Sequence, residues 1–211
     1  MKTDELIRLL AQDAPVRRRL GRMLVLALVF GIAASGLLLL STVGLRADLS
    51  TAIETVRVMF KIATTLLLAV LAFLVVERIG RPGLSVRSQA FSLLLPAALL
   101  LSATLAELFV LPKGEWTTRL LGRHAAFCVF FIPVLSLAPL AGLMLALRHG
   151  APAHPGLAGA AAGLAASAIG AALYAWHCPD DSPLFMATWY TLAIGLVTLA
   201  GYGIGRKALR W

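Results

Sequence analysis

The sequence lacks the motifs by which most enzymes are recognised. It contains no glycine-rich phosphate loop, no HExxH, no CxxC and no GxSxG. Ser182, His177 and Asp181 are the residue types of a catalytic triad, but they are crowded into six loop positions, whereas triads are assembled by geometry across a fold. We therefore expect that the protein is not an enzyme.

Charged residues are also scarce. They make up 14% of the 211 residues, while 60% are hydrophobic and the mean hydropathy is +0.88. Soluble domains are about 45–50% apolar. The apolar residues form uninterrupted blocks of about 20 residues, the length that crosses a bilayer core of about 30 Å. The composition therefore predicts an integral membrane protein and leaves little chain for a soluble domain.

Six apolar blocks are long enough to cross a bilayer. They cover approximately residues 23–43, 58–76, 90–111, 125–147, 156–176 and 187–204, separated by charged and turn-forming residues. The first block is too long for a signal-peptide core and no Ala-x-Ala site follows it, so we expect a retained anchor. The predicted fold class is all-α. A bundle of six transmembrane helices (23–205) follows a cytoplasmic arm (1–22) with a short amphipathic helix, and precedes a cytoplasmic tail (206–211).

The basic residues are spread unevenly over the loops. Six spans put both termini on one side, and thirteen of the 19 Lys and Arg residues fall there, six of them within the first 22 residues. The positive-inside rule then predicts that both termini are cytoplasmic (N-in, C-in). The net charge of +9 reflects membrane flanks, so the expected partner is the lipid bilayer, with no direct contact with nucleic acid.

The sequence has only two cysteines, Cys128 and Cys178. Cys128 lies about one turn into the fourth span and Cys178 begins the loop after the fifth, so both are expected at similar depth on the outer face. They could be small buried hydrophobes. They could form a disulfide, which would contribute at most about 4 kcal/mol for a loop of about fifty residues. With His124 and His177 they could form a soft-metal site of two thiolates and two imidazoles.

Two charged residues lie inside predicted spans, Lys61 in the second and Glu107 in the third. Both are near the outer leaflet, so we expect them to reach the headgroups or to form an intramembrane ion pair. Span five is rich in small residues, including the GxxxG pair Gly159 and Gly163, which predicts a central helix. Four aromatic residues beside Cys178 are expected at the membrane interface: Tyr174, Trp176, Trp189 and Tyr190.

The N-terminal arm, MKTDELIRLLAQDAPVRRRLGR, is the one sizeable polar segment on the predicted cytoplasmic side. Its apolar residues form a broad face: Leu6, Ile7, Leu9 and Leu10. A helix this short is marginal alone in water. We therefore expect this face to be buried against the membrane surface, the protein's own loops or a partner.

Three stretches resemble a known family over nearly the whole chain. They are MKTDELIRLLAQD, CVFFIPVLSLAPLAGLMLALRHGAPAHPGLAGAAAGLAA and YAWHCPDDSPLFMATWY, the last being the most specific. The chain resembles the NrsF-type membrane anti-sigma factors, six-span bacterial proteins that hold an extracytoplasmic-function sigma factor inactive. The resemblance implies a bacterial inner membrane location and such a sigma factor as partner. A small multi-pass transporter or metal-handling permease, with flux dependent on Lys61 or Glu107, is the alternative.

The resemblance also implies roles for individual residues. Cys128 and Cys178 would sense oxidising or thiol-binding stress, such as chromate or cadmium, with a thiophilic metal ion as a transient ligand and no resident cofactor. The positions of His124, His177 and Asp181 in the sequence, rather than the resemblance, make them candidate auxiliary ligands or tuning residues. The resemblance implies that the sigma factor is held by the N-terminal arm, alone or with the inner loops, and the candidate contacts on the arm are Leu6, Ile7, Leu9 and Leu10.

Overall fold

The computed structural model describes Glu5 and residues 19–81 and 83–210. Within these residues six long helices alternate in direction and form a bundle, with no β-strand among them. The helices are α1 (Arg19–Thr42), α2 (Val56–Ile79), α3 (Leu94–Val110), α4 (Ala125–Leu147), α5 (Pro155–Tyr174) and α6 (Thr191–Ala208). Short helical segments precede four of them: Leu49–Ala52, Arg87–Ser92, Lys113–Glu115 with Trp116–Leu121, and Pro183–Phe185 with the π-helical turn Met186–Tyr190.

The six helices correspond to the six predicted spans and are long and apolar enough to cross a membrane. The predicted all-α fold is therefore confirmed for the described residues. Some helices extend beyond the predicted apolar limits, because α1 begins at Arg19 and α6 continues through Arg206 and Lys207. Cations are favourable in the last turn of a helix, where the carbonyl dipoles point outward. The apolar face of the N-terminal arm lies outside the described residues: Leu6, Ile7, Leu9 and Leu10.

Helix α5 is the centre of the bundle. It packs against α2, α4 and α6. Of the residues in its most apolar stretch, 78% are buried inside the bundle, compared with 17% for the span that contains α3. Small residues make this possible, since a Cβ on Gly159 would lie 2.7 Å from the Cα of Gly205, and one on Gly163 would lie 2.7 Å from the carbonyl oxygen of Val197. The α5 and α6 backbones are therefore in direct contact, as the GxxxG pattern predicted.

The two ends of the bundle carry different loops. We call one end the cysteine end; it holds residues 43–55, 111–124 and 175–182, the last of which we call the Cys178 loop. The opposite end holds residues 148–154, the connection between α2 and α3, the start of α1 and the end of α6. There the Ala151 N–H donates to the Gly80 carbonyl at 3.4 Å, which joins the two inter-helix connections.

Candidate functional site

The two cysteines meet at the cysteine end. Cys128 lies in the first turn of α4, and Cys178 follows the end of α5, where its N–H donates to the Tyr174 carbonyl at 3.0 Å and so extends the last helical turn. Both are free thiols with no exposed surface, and their sulfurs are 3.8 Å apart. The sequence predicted only that the two cysteines lie at similar depth, and the structure brings their side chains into direct contact.

A tightly packed aromatic cluster surrounds the thiols. Tyr174 and Tyr190 are 0% and 2% exposed, and their hydroxyls are buried without a hydrogen-bond partner among the described residues. The prediction that these two tyrosines lie at the membrane interface is therefore wrong, because they fill the space around the sulfurs. Trp189 is half-buried, and its indole N–H donates to the Leu120 carbonyl at 2.8 Å. The two thiols therefore lie in largely apolar surroundings, in which the hydroxyl oxygens of the two tyrosines are polar atoms.

Asp180 ties the Cys178 loop to the start of α4. Its carboxylate accepts hydrogen bonds from the Arg123 N–H at 3.1 Å and the His124 N–H at 2.9 Å, and lies 3.2 Å from the His124 ring nitrogen Nδ1. These N–H groups precede the first turn of α4, where the helix dipole also favours a negative charge. Asp180 therefore caps the helix that carries Cys128.

Lys61 ties the same loop to α2. Its ammonium is fully buried, donates to the Cys178 carbonyl at 2.7 Å and the Asp180 carbonyl at 3.3 Å, and forms an ion pair with Asp181. Asp181 is also held by Arg46 at 2.9 Å. A buried ammonium is stable only when such partners replace its hydration. The Lys61 side chain thus organises the turn that begins at Cys178.

Glu107 ties the loop to α3. Its carboxylate accepts the Ser182 hydroxyl at 2.6 Å and the Leu184 N–H at 3.1 Å, and it lies 3.3 Å from the Arg57 guanidinium. The expected Lys61–Glu107 ion pair is therefore wrong. Lys61 is paired with Asp181 instead, and Glu107 lies beside Arg57. Both hydrogen bonds of Glu107 go to one carboxylate oxygen, Oε2, and the buried Oε1 has no hydrogen-bond partner among the described residues.

Two further bonds connect the loop to the end of α1. The His177 ring nitrogen Nδ1 lies 3.0 Å from the Gly44 carbonyl, and the Arg46 N–H donates to the Trp176 carbonyl at 3.2 Å. The Cys178 loop is therefore bonded to the ends of α1, α2, α3 and α4, while it connects α5 to α6. Cys178 thus lies in a loop with bonds or chain connections to all six helices.

The four-ligand metal arrangement is not assembled. His124 faces Asp180 and His177 faces Gly44, and within residues 19–81 and 83–210 no group of three or more His, Cys, Asp or Glu side chains is placed to hold a metal ion. The two sulfurs alone remain as soft ligands. The hydrogen bond from the Cys128 thiol and the nearby Lys61 ammonium lower the pKa of the Cys178 thiol below its usual value, against the opposing effect of burial.

A polar cavity of about 540 Å³ lies beside the loop. Residues 179–182 form one wall, and Arg57, Arg119 and Arg123 contribute to the rest of the lining. Neither cysteine lines this cavity, and the loop residues that do line it directly follow Cys178 in the chain.

Sequence reasoning identified the two cysteines, His124, His177, Asp181, Lys61 and Glu107 as candidates, and the structure brings all of them to the cysteine end. It missed Asp180, Arg46 and Ser182 as partners in the site. The pair Asp180–Asp181 in a loop without Lys or Arg was the available signal, since adjacent carboxylates next to a membrane boundary need cations from elsewhere in the chain.

The fold and the site together define a polytopic helical membrane protein with a buried dithiol beneath one inter-helix loop. The chain belongs to the NrsF family, whose model, described as "Negative regulator of sigma F", matches residues 9–211. This confirms the resemblance found in the sequence. The family is one of regulators, so the expectation that the protein is not an enzyme is also confirmed.

Two curated relatives match along the full length of both chains. The chain is 37% identical over 221 residues to the "Anti-sigma-F factor NrsF" of Caulobacter vibrioides and 30% identical over 213 residues to the "Probable anti-sigma-F factor NrsF" of Azospira oryzae. No solved structure matches the chain.

Proposed function

We propose that the protein is a membrane-bound anti-sigma factor that sequesters an extracytoplasmic-function sigma factor and releases it when Cys128 and Cys178 react with an oxidant or a thiophilic metal ion. Family membership supports the negative regulation of a sigma factor. The family resemblance supports the class of sigma factor, the buried dithiol supports the trigger, and the charge pattern supports the location in the membrane.

The single observation that carries the trigger is the dithiol geometry. A disulfide requires a sulfur–sulfur distance of about 2.05 Å, so the sulfurs, now 3.8 Å apart, must approach by roughly 2 Å. Because both side chains are fully buried in a closely packed cluster, such a shift also moves their neighbours. Because the Cys178 loop is bonded to the ends of α1 to α4, closing the bond would strain these connections and favour a second arrangement of the bundle.

The release step needs an output at the opposite end. Helices are rigid along their axes, and Gly80 at the end of α2 is hydrogen-bonded to Ala151 before α5. A shift of α2 against α5 would therefore alter the connections at the end of the bundle where α1 begins. We propose that the arm, through Leu6, Ile7, Leu9 and Leu10, holds the sigma factor there. A change of a few kcal/mol between two arrangements is enough to shift the bound population strongly.

The distribution of charged residues supports one orientation in the membrane. We propose that the protein lies in the bacterial inner membrane with both termini in the cytoplasm and the cysteine end outside. In that compartment disulfides form and persist. Capture of a thiophilic metal by the two sulfurs would act on the same loop, although two thiolates alone make a weaker site than the four ligands of a structural zinc site.

The sensor role is tested with a reporter gene transcribed by the partner sigma factor. We expect C128S, C178S and the double variant to repress the reporter in unstressed cells and to lose induction by diamide or by cadmium. H149A, an exposed substitution at the opposite end, is the control and should respond like the parent protein. A normal induction in the double variant would contradict the proposal.

The binding role is tested by co-purification. We expect a chain without residues 2–14 to insert into the membrane but to lose the sigma factor, and a chain with Leu6, Leu9 and Leu10 replaced by serine to do the same. Replacement of the exposed Lys207 by serine at the other terminus should leave binding intact. Full retention of the sigma factor by both arm variants would show that the arm is not the binding segment.

A further inference from the structure

We infer that the two thiols have different roles and that Lys61 assigns them: Lys61 is the positioning residue that makes Cys178 the attacking thiol, and Cys128 resolves the product. The inference rests on the proposed sensor role of the dithiol. Lys61 forms no covalent bond with the reagent or with either sulfur. Its ammonium holds the turn that carries Cys178 by hydrogen bonds and places a positive charge beside it.

The asymmetry between the thiols comes from their neighbours. The buried Lys61 ammonium is bonded to the carbonyl of Cys178 itself, at 2.7 Å, and to the carbonyl two residues later, at 3.3 Å. Cys128 lies on α4 with Ile132 and Tyr174 in its cluster. A cation next to a thiol favours the thiolate, which is the nucleophilic form. Of the two sulfurs, Cys178 is therefore the one at which the thiolate is favoured, because the Cys128 thiol can hydrogen-bond to it across the 3.8 Å contact and the Lys61 ammonium is held beside it.

Several titratable or charged groups face Cys178 from the elements around it, and they do not cancel this asymmetry. They are Lys61 on α2, Cys128 on α4, Tyr174 on α5, Tyr190 before α6, His177, Asp180 and Asp181 in the loop itself, and Arg46 behind Asp181. The Asp180 carboxylate is directed at the start of α4, and Asp181 is shared between Lys61 and Arg46. Lys61 is thus the cation nearest to Cys178, and Asp181 partly neutralises it.

The reaction with a hydroperoxide proceeds in two balanced steps. The Cys178 thiolate attacks one peroxide oxygen and the O–O bond breaks, which oxidises the sulfur to a sulfenic acid and releases the other oxygen, with one proton, as water or an alcohol. The Cys128 sulfur then attacks the sulfenic sulfur, its thiol proton combines with the departing hydroxide, and a disulfide and one water form. The peroxide is reduced by two electrons, and the two thiols supply them.

The test measures each cysteine separately by mass spectrometry in the purified full-length protein. The rate of iodoacetamide labelling of Cys178 is recorded against pH for the parent, K61M, K61R and D181N. We expect the midpoint of the K61M profile to rise by about one pH unit or more, which is about a tenfold slower reaction at neutral pH. K61R should stay close to the parent. D181N, which leaves the ammonium without its carboxylate, should have an unchanged or lower midpoint.

This pattern separates an electrostatic role from a structural one. K61M and D181N both remove the same ion pair, so a purely structural role predicts the same direction of change in both. T65V, one turn further along α2 and bonded only within that helix, is the matched control and should match the parent. An unshifted K61M midpoint or a raised D181N midpoint overturns the inference. If K61M does not fold, an unchanged or lowered D181N midpoint supports the inference and a raised midpoint overturns it.

The order of attack has its own readout. In C128S treated with hydrogen peroxide and dimedone, the sulfenic acid adduct should form on Cys178, whereas in C178S no adduct should form on Cys128. Adducts on Cys128 at an equal or greater rate would reverse the assignment. These measurements need no sigma factor, so they can fail while anti-sigma activity stands, and they can succeed in a protein that releases nothing.

Discussion

Single carboxylates hold the Cys178 loop, and each one bonds a different helix. Asp180 bonds α4, Asp181 bonds α2 through Lys61, and Glu107 on α3 bonds the loop from the other side. Hydrogen bonds to ionised groups contribute about 1.5–3 kcal/mol each, more than neutral ones, and they are geometrically specific. The loop is therefore an ordered part of the bundle, although it contains Pro179 and lies at a helix end.

Asp180 is expected to stabilise α4 as a capping residue. Replacing it by alanine leaves the N–H groups of Arg123 and His124 without their acceptor, so D180A should lower the unfolding free energy by about 1 kcal/mol. Thermal unfolding in detergent measures this. E115A removes an exposed carboxylate whose contact with Arg119 is 3.7 Å, and it should have little effect. Equal losses in both variants would refute the capping role.

Ser182 is expected to matter through its bond to Glu107. S182A removes a buried hydroxyl that donates to a carboxylate at 2.6 Å, and we expect a loss of about 1.5 kcal/mol together with faster maleimide labelling of Cys178. S102A is a matched control, because Ser102 is exposed on α3 and donates only to the Leu99 carbonyl of its own helix. Labelling of Cys178 that is unchanged in S182A would show that this bond does not hold the loop closed.

The close packing of α5 against α6 depends on glycine residues. An alanine at position 159 would bring its Cβ to 2.7 Å from the Gly205 Cα, so α5 and α6 would have to separate. We expect G159A to lower the apparent melting temperature. G203A is the contrasting substitution, since nothing lies within 4 Å of a Cβ there, and it should raise helix stability by about 0.5–1 kcal/mol. A G159A protein as stable as G203A would contradict close packing of these backbones.

The helices themselves could be predicted from the sequence, because an apolar block of about 20 residues between polar turns has few other stable forms in a bilayer. The central place of α5 followed from its glycines and alanines. The side-chain partners could not be predicted, because they depend on how each helix is rotated about its own axis. Lys61 and Glu107 looked like a pair from their depth alone, and the structure gives them Asp181 and Arg57 instead.

For the molecule as a whole, charge differs strongly between the two ends. Within residues 19–81 and 83–210, nine Lys or Arg residues and one acidic residue, Glu77, lie at or near the opposite end, whereas basic and acidic residues are equal in number at the cysteine end. The uneven distribution of basic residues counted in the sequence is thus also found between the two ends of the folded bundle, as the positive-inside rule describes for membrane proteins. It also leaves the cysteine end without a net attraction for anionic lipid.

The orientation can be measured with introduced cysteines. In a chain that carries C128S and C178S, we expect K113C to react with a membrane-impermeant maleimide in intact spheroplasts, because Lys113 is exposed at the cysteine end. H149C, exposed at the opposite end, should react only after the membrane is opened. Labelling of H149C in closed spheroplasts would place the termini outside and reverse the proposed topology.

The complete burial of both sulfurs sets the timing of any response. A reagent meets Cys178 only while the loop is lifted from its helix partners, so the observed rate is the reagent's intrinsic rate multiplied by the fraction of open molecules. At high reagent concentration the opening step itself becomes limiting, and adding more reagent no longer shortens the delay. If the thiols act as the proposed sensor, the carboxylate bonds around the loop would therefore set both its detection threshold and its maximum speed, and brief exposures would pass without a response.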